Sequence, residues 1–189
     1  MPEITKDSTL LEVAALVSDS LQKAGITATL SGGSAVSIYT ENVYLSKDLD
    51  FVTAALVDEL ALALAPLGFV HTGTPRLSIF HHPLIDWYIE FPPSPLQFGN
   101  LYVDHKDTKV IRLPVGKLHI ITPTQSVMDR LAAAFSWHEA QSREQAILVA
   151  ANQDIDWGTL QAWFVNEGET DAEFQLFREA VTTKKIKET

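Results

Sequence analysis

The sequence predicts an α+β fold, a mixed β-sheet flanked by helices and followed by a helical subdomain. Three observations point there. Up to Gly68, short alternating apolar runs exchange with amphipathic helical patterns. Between Phe69 and Thr122 the pattern is almost entirely strand, broken by Pro92-Pro93 and Pro95. From Pro123 onward, apolar residues recur at helical spacing. The change marks a boundary near residue 121, with a core over residues 1–121 and a helical subdomain over residues 122–189.

Each element has a local cause. Asp7-Ser8 ahead of Leu10, Leu11, Ala14, Val17 and Leu21 reads as a capped amphipathic helix that stops at Gly25. "ITATL" (26–30) alternates into a short strand ending at two glycines, and Ser34 to Tyr39 suits a helix start. "DLDFV" (48–52) has the alternation of a second strand, and residues 55–66 form a helix ended by Pro66 and Gly68. Strands follow at "FVHT" (69–72), "RLSIF" (76–80), "IDWYIEF" (85–91), "KVIRLP" (109–114) and "KLHIIT" (117–122). Thr122 is a natural N-cap before Pro123 at the first helical position. Helices are expected near 123–137, 141–152, 156–166 and 170–186.

Composition narrows the function. The 189 residues, 46% hydrophobic, are enough for a full core without staples. There is no cysteine, so disulfides, thiolate chemistry and cysteine-ligated zinc are excluded. The net charge of -10, with only 14 Lys and Arg, disfavours an extended duplex nucleic acid as partner. Arg76 is the one Lys or Arg between Lys47 and Lys106. Charged residues from Glu3 to Lys23 interrupt every early apolar run, so no signal peptide or membrane span is expected, and the expected location is the cytoplasm.

The chemistry concentrates between residues 30 and 51. Asp48 and Asp50, two apart on a strand, point to one face, while Leu49 and Phe51 point to the other. Two carboxylates ~4 Å apart repel by about 4 kcal/mol at an effective dielectric of 20. A cation between them relieves that repulsion, and magnesium suits carboxylate and phosphate oxygens together. Upstream, Gly32-Gly33-Ser34 joins a strand to a helix, a setting in which backbone N–H groups and a helix N-terminus favour a phosphate. Taken singly, the turn reads as a tight turn with a serine cap and the acid pair as a solvated strand edge; together they read as one site.

Gly32-Gly33-Ser34, a modest helix, and then Ser46-Lys47-Asp48-Leu49-Asp50-Phe51 resemble the signature of the DNA polymerase beta-type nucleotidyltransferase superfamily. The Ser-Lys pair is similar to the minimal bacterial branches, including abortive-infection and toxin–antitoxin nucleotidyltransferases, and residues 121–150 resemble the helical half of bacterial members. The resemblance covers roughly residues 26–150. It implies nucleotidyl transfer with two magnesium ions and a nucleoside triphosphate, ATP by default, as donor. The acceptor would be a hydroxyl on a small molecule, a protein or an RNA end, and a cognate protein partner is possible within that branch. It also implies a third carboxylate on a neighbouring strand, for which "IDWYIEF" offers Glu90 and Asp86. Glu90 is preferred because Ile89 and Phe91 frame it, whereas Asp86 near the strand start suits a turn. Under this reading Asp48, Asp50 and the third acid hold metal, and Gly32, Gly33 and Ser34 cradle phosphates.

Other residues carry two readings. Arg130 could reach a phosphate or pair with Asp129 or a nearby helix. His81 and His82, adjacent on a strand, face opposite sides and cannot share one ion. Tyr88 shares the carboxylate face and could stack a base, Trp87 suits the core, and His138 suits a cap or the surface. The competing function is a nucleotide-binding module or toxin–antitoxin component of the same fold with weak or no catalysis. A metal-dependent hydrolase lacks the histidine–aspartate cluster it needs.

Overall fold

A computed structural model describes residues 3–74, 78–137 and 140–188. Arg76 and His138 lie outside the described residues. Helix α1 (Leu10–Lys23) is capped by Thr9, which accepts from the Glu12 N–H while the Glu12 carboxylate accepts from the Thr9 N–H at 2.8 Å. The cap therefore falls one residue past the Asp7-Ser8 pair, because only Thr9 has a glutamate three residues on. Next come β1 (Ala28–Ser31), α2 (Gly32–Tyr39), β2 (Asp48–Thr53) and α3 (Val57–Leu64), which runs into a short 3-10 turn closed by Gly68 at φ +89°. Helix α2 begins at Gly32 rather than at Ser34.

The middle of the chain supplies β3 (Val70–His71), β4 (Ile79–His81), β5 (Tyr88–Glu90), β6 (Gln97–Phe98), β7 (Leu101–Tyr102), β8 (Lys109–Leu113) and β9 (Gly116–Ile120). Helices α4 (Pro123–Trp137), α5 (Ala140–Asn152), α6 (Trp157–Glu167) and α7 (Asp171–Glu188) follow. Among the described residues, seven strands form one mixed sheet in the order β3-β4-β5-β2-β1-β9-β8. The β2–β5 and β1–β9 pairs are parallel and the others antiparallel. The β6–β7 hairpin stands apart from it.

Helix α1 packs on β9, β1 and α3, while α2 lies against β2, α4 and α5. Leu30, Leu49, Phe51, Ile89, Leu118 and Ile120 are fully buried beneath the strands. One buried cluster extends from Ile4 to Val181 on α7. Behind the sheet, Phe135 stacks on Trp163 with centroids 6.0 Å apart, and Phe164, Phe174 and Phe177 continue the aromatic contacts. Trp163 also donates its Nε1–H to the Phe98 carbonyl at 3.0 Å, which pins the β6–β7 hairpin to the helical layer. No helix among the described residues is long and apolar enough to cross a membrane.

Candidate active site

Strand β2 presents the acid pair. Leu49 and Phe51 are fully buried on its inner face, each contributing about 2–3 kcal/mol of burial. Together these outweigh the repulsion of two carboxylates on the opposite face, so the strand holds Asp48 and Asp50 half-buried side by side. Parallel pairing with β5 aligns Asp48 with Tyr88 and Asp50 with Glu90. Asp48, Asp50 and Glu90 thus converge, each offering a carboxylate oxygen within 4.8 Å of the others. Asp86 lies at a bend two residues before β5 and is not part of this cluster. Neither His81 nor His82 joins it: His81 is exposed, His82 buried against Phe69.

The cluster is electrostatically strained. Burial pushes the Asp50 carboxyl up to about 7, and the charges of Asp48 and Glu90 add to the push while Arg130 opposes it. Glu90 is raised too, first by burial and then by Asp48. Asp48 accepts from the Ser46 hydroxyl at 2.6 Å. Tyr88 is raised by burial and by the three acids beside it, and one side of its ring stacks on His81 at 5.4 Å between centroids.

The glycine turn packs directly on the acids. Gly32 adopts φ +63°, and a Cβ there would collide with the Asp50 carboxylate, so this position requires glycine on two counts. Its N–H donates to Asp129 Oδ2 at 3.2 Å, and Arg130 donates to the same oxygen from Nε at 3.1 Å and from its terminal nitrogen at 2.8 Å. Burial works against the Arg130 charge, but Asp129 and Asp50 outweigh it and hold the guanidinium more firmly protonated than usual. Of the two readings for Arg130, the structure has the ion pair with Asp129. Ser34 is fully buried and donates its hydroxyl proton to the Ser31 carbonyl at 3.0 Å. That proton is committed within the turn, and Gly33 is buried beneath Tyr44 and Ser46.

Asp129 is the residue that sequence reasoning missed as a contributor to the site. In the sequence it is one polar residue of an amphipathic helix start, and only the folding of α4 onto the turn brings it to Gly32. Beside it opens a cleft of about 320 Å³ lined by Ser31, Gly32, Asp50, the Pro92–Pro95 segment and the β6 edge.

Sheet, helices and glycine turn together define a nucleotidyltransferase-like fold. An antigenic nucleotidyltransferase-like protein from Paracoccidioides brasiliensis matches it with a TM-score of 0.61 at 14% identity, over 93% of this chain and 94% of that one. Looser likenesses join it to the antibiotic-resistance factor ANT(2'')-Ia. Its solution structure has a TM-score of 0.49 at 11% identity, over 93% of this chain and 91% of that one. Its crystal structure in complex with adenylyl-2''-tobramycin has a TM-score of 0.48 at 11% identity, with 93% and 97% covered. In sequence, the chain matches no protein-family model and no curated protein.

Proposed function

We propose that the protein is a magnesium-dependent nucleotidyltransferase that moves a nucleoside monophosphate from a nucleoside triphosphate to a hydroxyl acceptor. The observation that carries this reading is the convergence of Asp48, Asp50 and Glu90 against the Gly32-Gly33 turn in a nucleotidyltransferase-like sheet. The donor set fits magnesium: three hard carboxylate oxygens within 4.8 Å, mutually repelling and with no cationic side chain in the group. Two magnesium ions bound there would supply charge neutralisation for the triphosphate and polarise the acceptor hydroxyl.

The chain's own groups have separable tasks. Asp48, Asp50 and Glu90 hold the cations and fix where the α-phosphate lies. The start of α2, with Gly33 and Ser34, contributes its positive dipole end toward the β- and γ-phosphates. Glu90, on the strand beside the acid pair, would also take the acceptor's proton. The acceptor oxygen bonds to the α-phosphorus, the bond from phosphorus to the bridging oxygen breaks, and pyrophosphate leaves. ATP as donor, and a small-molecule, protein or RNA-end hydroxyl as acceptor, are parts of the same proposal.

One observation favours a second reading, a nucleotide-binding module with weak or no catalysis. The Gly32 N–H and the Ser34 hydroxyl proton are already taken by Asp129 and Ser31, which leaves fewer donors for a phosphate. Placement in the toxin–antitoxin or abortive-infection branch, with its cognate protein partner, rests on the Ser46-Lys47 resemblance alone. Calorimetry of each nucleoside triphosphate with and without magnesium, on wild type and on Asp48→Ala/Asp50→Ala, tests the site. Binding that needs both magnesium and the two aspartates supports it; binding indifferent to both overturns it. Pyrophosphate release in the presence of candidate acceptors then separates enzyme from module.

A further inference from the structure

Three donors converge on a single oxygen beside the acid cluster. Asp129 Oδ2 accepts from the Gly32 N–H at 3.2 Å, from Arg130 Nε at 3.1 Å and from an Arg130 terminal nitrogen at 2.8 Å. Consecutive residues on a helix do not face each other, so this contact is not one that α4 makes by default. Arginine meets a carboxylate best through two parallel bonds, one to each oxygen. Here both guanidinium bonds go instead to the oxygen that also meets the glycine turn. The donors set this point of convergence. A main-chain N–H and a guanidinium aimed together suit a phosphate oxygen as well as they suit a carboxylate.

The position is unfavourable for a carboxylate and reachable by a ligand. Asp129 lies close enough to the acids that its charge adds to those pushing the Asp50 carboxyl up. It is a fourth negative charge in the place where a triphosphate would have to come. Gly32, Asp50, Asp129 and Arg130 all line the cleft of about 320 Å³. The Asp129 and Arg130 side chains are 18% and 19% exposed, so an incoming anion reaches the pair without opening the core.

We propose that Asp129 is an autoinhibitory stand-in: its carboxylate occupies the place of a phosphate oxygen on Gly32 and Arg130, and the donor triphosphate must displace it. The inference rests on the nucleotidyl-transfer reading above and adds to it how the site is regulated. While the site is empty, the contact keeps the turn and the guanidinium paired. When a triphosphate enters, its charge repels Asp129, and the Gly32 N–H and the guanidinium pass to a phosphate oxygen. A site that is competent only while Asp129 is away loses affinity by the fraction of time it is away; a fraction of about one tenth weakens binding about tenfold.

The test is calorimetric titration of inorganic tripolyphosphate and of ATP, each with magnesium, on wild type and on Asp129→Asn. The variant keeps an oxygen for the turn and removes the charge. It is expected to bind both probes about tenfold more tightly than wild type. A carboxylate that only fastens the turn gives the opposite sign, because loosening the turn weakens binding. Unchanged or weaker binding by the folded variant therefore overturns the inference. Wild type supplies a second readout that needs no variant, the carbon-13 resonance of the Asp129 carboxylate. Saturation with magnesium and tripolyphosphate is expected to move it toward the position of a solvent-exposed aspartate, and a resonance that stays in place at saturation overturns the inference. If tripolyphosphate binding needs magnesium, Asp48 and Asp50 but both Asp129 readouts fail, the inference falls while the transfer reading stands. If neither wild type nor Asp129→Asn binds tripolyphosphate or any nucleoside triphosphate with magnesium, both fall together.

Discussion

Gly32 and Asp50 constrain each other at the scale of single residues. Gly32→Ala must place a methyl group against the Asp50 carboxylate and hold a side-chain-bearing residue at φ +63°. The backbone term alone is about 1–2 kcal/mol, and the displaced carboxylate should also cost magnesium-dependent nucleotide binding; urea denaturation and calorimetry read the two effects separately. Asp50 makes a pH prediction. Its carboxyl rises from an ordinary 3.8 to about 7 in the folded protein, so between those values the native state binds more protons than the unfolded one. The contribution of Asp50 to stability without metal is therefore greatest below about pH 4 and falls as pH rises through 7. Asp50→Asn should flatten that fall and leave the protein on the order of 1–2 kcal/mol more stable at pH 8. Magnesium should restore wild-type stability at pH 8 and do little for the variant. Chemical denaturation at pH 5 and pH 8, with and without magnesium, checks the sign.

At the scale of elements, the site depends on how α4 and the β6–β7 hairpin are tied down. Asp129 on α4 accepts from Gly32 and from Arg130 through one oxygen. Asp129→Ala would leave a half-buried guanidinium without its carboxylate, with an expected loss of about 2–3 kcal/mol by thermal or urea unfolding. Asp129→Asn should recover part of that loss through its remaining side-chain oxygen. Trp163→Phe would strip the buried Phe98 carbonyl of its donor, an expected cost of about 1–3 kcal/mol, and should loosen the hairpin that borders the cleft. Which elements were legible in the sequence follows from their physics. Strands whose alternation is local, such as "DLDFV" and "KLHIIT", and helices with periodic apolar faces fall at or near the residues expected. The β6–β7 hairpin did not show, because it depends on Trp163 and Glu167 reaching it from α6. The cluster of Asp48, Asp50 and Glu90 was legible because motif and strand pairing both act in it. Asp129 was not, since nothing local marks a residue whose role is to meet a turn 97 positions earlier.

The whole molecule carries a net charge of -10, and its most strained acids lie at the proposed site. A surface of that sign should not hold the phosphate backbone of a duplex, which needs neutralising Lys and Arg contacts. A gel-shift titration with duplex DNA at about 0.15 M salt and micromolar protein should show no retarded band; a shift would require a local basic patch to outweigh the overall charge. Magnesium should have the reverse effect on nucleotides, since its charge allows an acidic protein to bind an anion at all.

The hydrogen bond from Gly32 to Asp129 also has a temporal consequence. The three clustered acids all lie between residues 48 and 90, so they are synthesised before Ile120 and Asp129. The pairing of β1 with β9 waits for Ile120, and the tether on the glycine turn waits for Asp129. Contacts so distant in sequence form late and slow the approach to the native state. During synthesis, the carboxylates can thus meet before the turn beside them is fastened, and the geometry that makes them a site is completed from the C-terminal half of the chain.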